Sequence, residues 1–324
     1  MTVALITGSN GFVGSHLRPL ARSAGWTVVG LGRSDIKAPG GEHYVTADVT
    51  AVEEVSAVLE AYRPDVIFHL AAVSAQKVSD PAEVVRTIVG GTHAVCSAIR
   101  RAGLTSRLIL AGSSAQYGAA PVPEEAITEA APCRPLSPYG HAKVAAEALA
   151  LALSLDGAFE LVPVRPFNHV GPGEPPTTLA GALAARIVSV IEERAERVQV
   201  SSLTAVRDFT DVRDLARGYM ALAERGVPGR IYNLCSGRGR SVNEILDGLL
   251  KAADLDHSIV EVLSGREDGV AHQVGSPARV HADTGWVAEI PLDTSLTDLL
   301  TEARGARLAP DGESLKAGRS ESAT

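Results

Sequence analysis

The chain has 324 residues and a formal net charge of −8 at pH 7, with 45% hydrophobic and 21% charged residues. This composition is typical of a globular protein with a sizeable core, and the length allows about two domains. The acidic balance argues against a protein that coats nucleic acid or an anionic membrane. The three widely spaced cysteines form neither a disulfide framework nor a metal-ligand cluster, so we predict a reducing, cytoplasmic location and no metal site.

Short apolar runs alternate with helical patterns through the first half of the chain. Strands are predicted at 3–7, 27–31, 43–45, 66–70, 107–111 and 160–164. Helices are predicted at 11–24, 53–61, 81–103 and 138–155. The strands are almost continuously hydrophobic, as expected when both faces of a parallel sheet are covered. The alternation predicts an α/β fold with a Rossmann-type, doubly wound parallel sheet.

The pattern changes after Arg165. The Gly- and Pro-rich stretch 171–176 predicts a loop, and a helix is predicted at about 179–194. The run 231–234 is apolar enough to form a strand that rejoins the sheet. We predict a dinucleotide-binding domain made of residues 1–165 and about 206–240. A smaller α/β substrate-binding lobe is predicted from about 166–205 and 241–304. The polar tail, 305–324, is predicted to be mobile.

A glycine-rich segment at 8–14, Gly-Ser-Asn-Gly-Phe-Val-Gly, follows the first strand and opens the first helix. A dinucleotide pyrophosphate can approach backbone N–H groups at such a helix N-terminus because glycine leaves no Cβ in the way. The alternative is a tight turn that holds no ligand. The predicted cofactor contacts in this segment are Gly8, Asn10, Gly11, Phe12, Val13 and Gly14.

The end of the second strand bears on cofactor preference. Gly32 stands where an acidic residue would bind the ribose hydroxyls of NAD. Arg33 and Ser34 follow it, and both suit a 2′-phosphate, so we predict NADP (NADPH) in preference to NAD. Two alternatives stay open: Asp35 could serve a ribose, and Arg33 could be a solvated surface residue.

A proton-transfer centre is predicted around Tyr139 and Lys143. These residues are spaced i, i+4 behind the helix-capping Ser137, so both lie on one helix face. An ammonium beside a phenol should lower the phenol's pKa toward the working range and make Tyr139 a general acid or base. Ser113 follows a strand at the sheet edge where ligands bind, and its hydroxyl could hold a substrate carbonyl opposite Tyr139.

The order of these motifs resembles one known family. The segments Gly8–Gly14, Asp48-Val49, His69-Leu-Ala-Ala72, Ser113-Ser-x-x-Tyr-Gly118 and Tyr139-x-x-x-Lys143 are similar to those of the extended short-chain dehydrogenase/reductases, whose members modify nucleotide sugars. The resemblance implies a catalytic set of Ser113, Tyr139 and Lys143, in which the lysine also bonds the nicotinamide ribose. It further implies cofactor contacts from Asp48, Val49, Leu70, Ala71 and Ala72.

Four later segments, 165–173, 206–214, 232–237 and 284–291, narrow the resemblance. They are most similar to the members of that family that reduce GDP-4-keto-6-deoxy-D-mannose to GDP-D-rhamnose. The resemblance implies a nucleotide-diphosphate sugar as the substrate and reduction of its 4-keto group. The predicted substrate contacts are Ser74, Ser114, Asn168, Arg207 and Arg266. A guanidinium fork suits a diphosphate, although either arginine could instead make a surface ion pair.

Two positions depart from the family pattern. Ala115 stands where sugar dehydratases of the family carry Glu, which disfavours 4,6-dehydratase activity, and Ile88 replaces an Asn that is common near the cofactor. A nucleotide-sugar 4-epimerase with tightly bound NAD and a non-catalytic dinucleotide-binding protein remain alternatives. The family's dimerisation helices correspond to about 92–102 and 138–155 and imply a homodimer, although the apolar face of the second could simply pack on the sheet.

Overall fold

The computed structural model describes residues 1–33, 43–73, 80–119, 125–201, 203–263 and 270–308. The strands that position the site are β1 (Val3–Thr7), β2 (Thr27–Gly32), β3 (His43–Thr46), β4 (Val66–His69), β5 (Arg107–Ala111), β6 (Glu160–Pro166) and β7 (Asn168–Val170). They are followed by β8 (Val198–Val200), β9 (Val206–Asp211), β10 (Tyr232–Leu234), β11 (Gly239–Ser241), β12 (Val260–Val262) and β13 (His272–Gln273).

Helices cover both faces of the sheet and build the second half of the molecule. They are α1 (Phe12–Ser23), α2 (Val52–Tyr62), α3 (Pro81–Val85), α4 (Gly91–Arg101), α5 (Pro138–Ser154), α6 (Leu179–Ile191), α7 (Val212–Arg225), α8 (Val242–Ala253), α9 (Ala278–Thr284) and α10 (Leu292–Leu308). A single π-helical turn, Arg86–Gly90, joins α3 to α4 within the segment predicted as one helix. In the described part of the chain, no helix is both long and apolar enough to cross a bilayer.

Seven strands form one parallel sheet in the order β10-β6-β5-β4-β1-β2-β3. The predicted doubly wound α/β fold is therefore confirmed, including the return of the 231–234 run to the sheet beside β6. The order reverses between β1 and β4, and this switch point is where open α/β sheets bind ligands at the carboxyl ends of their strands.

The hydrophobic strands bury both of their faces. In β1, Ile6 packs in a core with α1 and α7, whereas the adjacent Leu5 packs in a second core with α2, α4 and α5. Both side chains are fully buried, and each burial contributes about 1.5–3 kcal/mol relative to exposure. This alternation explains why the strand sequences read as continuous apolar runs.

A third core lies away from the main sheet, among α6, α8 and α10. Beside it, β9 pairs with β7, β11 and β13 in a small second sheet. Residues 206–240 are predicted to belong to the dinucleotide-binding domain, but the first part of this range, β9, pairs outside the seven-stranded sheet. Helix α7, which follows directly, does pack against α1 beneath that sheet.

Two predicted boundaries need correction. Helix α10 continues to Leu308, so residues 305–308 are helical and not part of a mobile tail, while 309–324 lie outside the described residues. Helix α6 ends at Ile191, three residues before the predicted end at 194, because Glu193 adopts a left-handed backbone with φ of 57°.

Candidate active site

The carboxyl ends of β1, β4 and β5 meet at one edge of the sheet, where the predicted functional residues are concentrated. The glycine-rich loop follows β1, Ala71 follows β4, and Ser113 follows β5. The three strands are neighbours in parallel register, so their following loops must lie side by side. The site is therefore assembled by topology from segments that are far apart in the sequence.

The glycine-rich loop is a close-packed turn at the start of α1. Gly8 has a φ of +67°, and its N–H donates to the Leu31 carbonyl at 2.9 Å. A Cβ on Gly14 would lie 2.5 Å from the Gly8 carbonyl oxygen, so only glycine lets the helix approach the loop. Gly11 caps α1 without a side-chain bond, and the first turn has no acidic residue. The helix N-terminus is thus free to bind an anion, which fits a dinucleotide pyrophosphate.

A cavity of about 290 Å³ opens beside this loop. The sequence-predicted cofactor residues that line it are Gly8, Gly11, Arg33, Asp48, Val49, Leu70, Ala71 and Ala72. The pKa of the Asp48 carboxyl is lowered, first by a hydrogen bond from the Thr50 backbone N–H and further by the Thr50 hydroxyl and by Arg33 and Arg86. Ser34, the remaining predicted residue of this edge, lies outside the described residues. A concave, glycine-lined site of this size can hold the adenosine end of a dinucleotide.

The other predicted contacts of the loop have different surroundings. Asn10 is exposed, and the Val13 side chain packs against the core beneath α1. Phe12 stacks on His169 of β7 with ring centroids 5.5 Å apart and meets His16 edge-on at 5.9 Å. The Phe12 ring therefore joins the glycine-rich loop to the second sheet. Phe12 and Val13 can contact a cofactor through their backbone N–H groups and not through their side chains.

The structure brings Ser113, Tyr139 and Lys143 together at the mouth of β5. The Ser113 side chain lies close enough to the Tyr139 phenol to influence its pKa, and its hydroxyl accepts the Ala115 N–H at 3.1 Å. Lys143 is only 6% exposed, and its Nζ donates to the Ala111 carbonyl at 2.6 Å. The same Nζ lies 5.8 Å from the centroid of the Tyr139 ring. A phenol, a hydroxyl and an ammonium in this arrangement can hold a carbonyl oxygen and transfer a proton to it.

The electrostatics of this trio differ from the prediction. Burial raises the pKa of Tyr139, and the nearby Ser113 side chain only partly opposes that shift. The predicted lowering of the Tyr139 pKa by Lys143 is wrong for this geometry, because the ammonium is bonded to Ala111 and desolvation of the phenolate dominates. Burial also lowers the pKa of Lys143 to about 8. Neighbouring His69 has a pKa lowered to about 3 by burial and by Lys143, so its ring is neutral.

A buried polar network holds the Ser113 turn against α5. The Gln116 side chain accepts the Ser113 N–H at 2.8 Å and donates to Glu147 at 3.0 Å. Glu147 in turn accepts two bonds from Arg165 at 2.5 and 2.9 Å, in a pair that is almost fully buried. Our sequence reasoning missed these residues. The spacing 139, 143, 147 contained a signal, because it places Glu147 on the same helix face as Tyr139 and Lys143.

The predicted substrate residues do not all reach the site. Asn168 and Arg207 lie half-buried on β7 and β9 in the second sheet. Burial lowers the pKa of Arg207, and among the described residues no carboxylate pairs with it, so the surface ion pair considered above is not observed. Ser114 is turned inward, since its hydroxyl donates to Gln273 at 3.0 Å and the residue is 5% exposed. The two others, Ser74 and Arg266, lie outside the described residues.

The chain is similar to known proteins in both sequence and fold. The family model described as NAD dependent epimerase/dehydratase family matches residues 4–235. A GDP-6-deoxy-D-mannose reductase from Pseudomonas aeruginosa is 29% identical over 308 residues, covering 92% of this chain and 95% of the relative. The structure of RMD from Pseudomonas aeruginosa complexed with NADPH is similar with a TM-score of 0.84 and 27% identity, covering 94% of this chain and 100% of that one. The Thermus thermophilus UDP-glucose 4-epimerase in complex with NAD is similar with a TM-score of 0.84 and 26% identity, at 94% and 100% coverage.

Proposed function

The chain belongs to the NAD dependent epimerase/dehydratase family, and from that premise we propose that it reduces the 4-keto group of a nucleotide-diphosphate-linked 4-keto-6-deoxyhexose with NADPH. The observation that carries the proposal is the meeting of Ser113, Tyr139 and Lys143 at the end of β5, where Lys143 lines the same interior space as Ala71, a residue that also lines the cavity of the glycine-rich loop. The similarity to a GDP-6-deoxy-D-mannose reductase over nearly the whole chain supports a GDP-linked sugar.

Each of the three residues has a distinct task in this reaction. The bound dinucleotide supplies the hydride that reduces the carbonyl carbon. The Ser113 hydroxyl orients the carbonyl oxygen, and the Tyr139 phenol donates its proton to that oxygen as negative charge develops. Because burial raises the pKa of Tyr139, the phenol is protonated at neutral pH, which suits an acid acting in the reductive direction. The Lys143 ammonium lies 5.8 Å from the centroid of the Tyr139 ring, where it binds the nicotinamide ribose and so fixes the cofactor beside the phenol.

The end of β2 supports NADPH as the cofactor. The position that would bind the ribose hydroxyls of NAD through an acidic side chain is Gly32, and a Cβ there would lie against the hydroxyl oxygen of Tyr44, which would have to move away. Arg33 follows Gly32 and lines the same cavity, where its guanidinium can bind a 2′-phosphate.

The substrate's diphosphate is proposed to lie between the two sheets. Arg207 of β9 has no carboxylate partner among the described residues, and Asn168 stands on the neighbouring strand β7. Arg207 also lies in register with Gln273, whose side-chain amide holds the Ser114 and Gly118 carbonyls of the catalytic turn. A phosphate bound at Arg207 would therefore place the attached sugar near Ser113.

A 4-epimerase with tightly bound NAD is the second candidate. The similarity to the Thermus thermophilus UDP-glucose 4-epimerase favours it, because that structure has NAD bound and matches at the same TM-score as the NADPH complex of RMD. An epimerase must use Tyr139 first as a base and then as an acid. Denaturing the purified protein separates the two candidates: stoichiometric release of NAD supports the epimerase, and its absence supports the reductase.

The proposed reaction is tested by a nucleotide screen followed by turnover. GDP, UDP, dTDP and CDP are compared by calorimetric titration of the full chain, and we expect GDP to bind most tightly. The 4-keto-6-deoxy sugar of the best nucleotide should then oxidise one NADPH for each sugar reduced. Failure of all four nucleotide-linked 4-keto-6-deoxy sugars to oxidise NADPH would overturn the proposal.

The assembly and location are also part of the proposal. We expect a cytoplasmic homodimer formed through α4 and α5, and the exposed Leu136 and Leu155 flanking α5 support an apolar contact there. The mass of the native particle in solution tests this expectation, since a particle of 33.7 kDa would contradict it.

A further inference from the structure

A second arginine faces the cavity beside the glycine-rich loop. Glu83, Arg86 and Thr87 line this cavity together, and their i, i+3, i+4 spacing places them on one face of α3 and the π-helical turn. The next residue, Ile88, is buried, and it lines the interior beside Lys143 instead. The π-helical turn thus presents Arg86 to the cavity while Ile88 fills the space behind it, an arrangement that such turns often provide at functional sites.

The charges around Arg86 favour an anionic ligand. Arg33 and Arg86 both lie close enough to Asp48 to lower the pKa of its carboxyl. That carboxylate accepts the Thr50 N–H and hydroxyl, both at 2.9 Å, so it is bonded within its own loop. Across the part of the chain that the structure describes, neither arginine makes an ion pair. Two exposed guanidinium groups at one cavity, neither neutralised by a paired carboxylate, can together bind a phosphate dianion.

We propose that Arg86 and Arg33 together bind the 2′-phosphate of NADPH, and that Arg86 is a residue that determines cofactor specificity. The inference rests on the NADPH dependence in the proposed function and extends it to a residue of the π-helical turn. Glu83 is the opposing charge at this edge, and it should weaken the binding of a phosphate there by repulsion.

The test compares adenosine 2′,5′-bisphosphate with AMP, which lacks the 2′-phosphate, by calorimetric titration of the full chain. The wild type should prefer the bisphosphate, and Arg86→Gln should weaken its binding by about tenfold or more, equivalent to about 1.4 kcal/mol, while AMP affinity stays within about twofold. Arg86→Lys should keep part of the preference, and Glu83→Gln should increase it. Arg63→Gln, which removes an exposed arginine at the opposite edge of the sheet, should change neither affinity.

The proposal is overturned if Arg86→Gln weakens both nucleotides equally or leaves the bisphosphate unaffected, or if the wild type shows no preference. Neither probe contains a nicotinamide or a sugar substrate, so the result is independent of turnover. A specific loss of bisphosphate binding in a chain that reduces no keto sugar would leave this inference standing and defeat the proposed reaction. If the chain reduces a keto sugar with NADPH but Arg86→Gln binds the bisphosphate as tightly as the wild type, the proposed reaction stands and this inference falls.

Discussion

Replacing Gly8 by alanine should damage both the stability of the protein and its affinity for the dinucleotide. The backbone of Gly8 has a φ of +67°, where alanine is disfavoured by roughly 1–2 kcal/mol. The new Cβ would also lie 3.0 Å from the Ala71 Cα and backbone nitrogen, so the loop and the end of β4 must separate by a few tenths of an ångström. That movement strains the hydrogen bond from the Ala71 N–H to the Thr7 hydroxyl, now 3.1 Å long. Overpacking against backbone adds about 1–3 kcal/mol.

Gly25 offers a matched control for this variant. It has a φ of +80°, and a Cβ there would meet nothing within 4 Å, so Gly25→Ala carries the backbone strain without the collision. Urea denaturation should show a loss of about 1–2 kcal/mol for Gly25→Ala and about 2–5 kcal/mol for Gly8→Ala. NADPH affinity, followed by fluorescence titration, should fall by about tenfold or more in Gly8→Ala only. Equal losses of stability and of affinity in the two variants would refute the reasoning.

Three further outcomes are expected. Tyr139→Phe should lower kcat by about 10²–10⁴-fold with little change in NADPH affinity, because only the proton donor is removed; near-normal turnover would refute its assignment. The Lys143 pKa of about 8 means that the ammonium predominates below that pH and is lost above it, so NADPH affinity should fall as pH rises through about 8. Lys143→Met should abolish this pH dependence, and a wild-type affinity that is flat across the range would count against the lysine's role. Arg165→Met should cost about 3–5 kcal/mol in urea denaturation because Glu147 would be left as an unpaired buried charge, and a near-zero change would contradict that interpretation.

The sheet and the clustering of the site were accessible from the sequence because they follow from strong local patterns. Each strand of the main sheet is a run of apolar residues, and the carboxyl ends of parallel strands share one edge whatever their separation in the chain. The positions of Gly8, Ser113 and Lys143 at that edge were therefore predictable without coordinates. The sheet to which β9 belongs was harder to predict, because this charged hexapeptide has no apolar pattern that favours one sheet over another.

Features that depend on contacts between residues far apart in the chain could not be predicted from the sequence. The inward orientation of Ser114 depends on Gln273, which is 159 residues away in the sequence. The direction of the Tyr139 pKa shift depends on how deeply the phenol is buried and on the bond between Lys143 and the Ala111 carbonyl, neither of which follows from i, i+4 spacing. The cavity-facing position of Arg86 depends on a π-helical turn that the sequence pattern of 81–103 did not reveal.

The central claim is that hydride is delivered to C4 of a keto sugar held against Ser113 and Tyr139. It is tested most directly with NADPH that carries deuterium at the transferable position of the nicotinamide C4, followed by mass spectrometry and NMR of the sugar product. The account predicts one deuterium at C4 of the sugar and one NADP⁺ formed per product. A product without deuterium at C4, or interconversion of C4 epimers without net oxidation of NADPH, would contradict it.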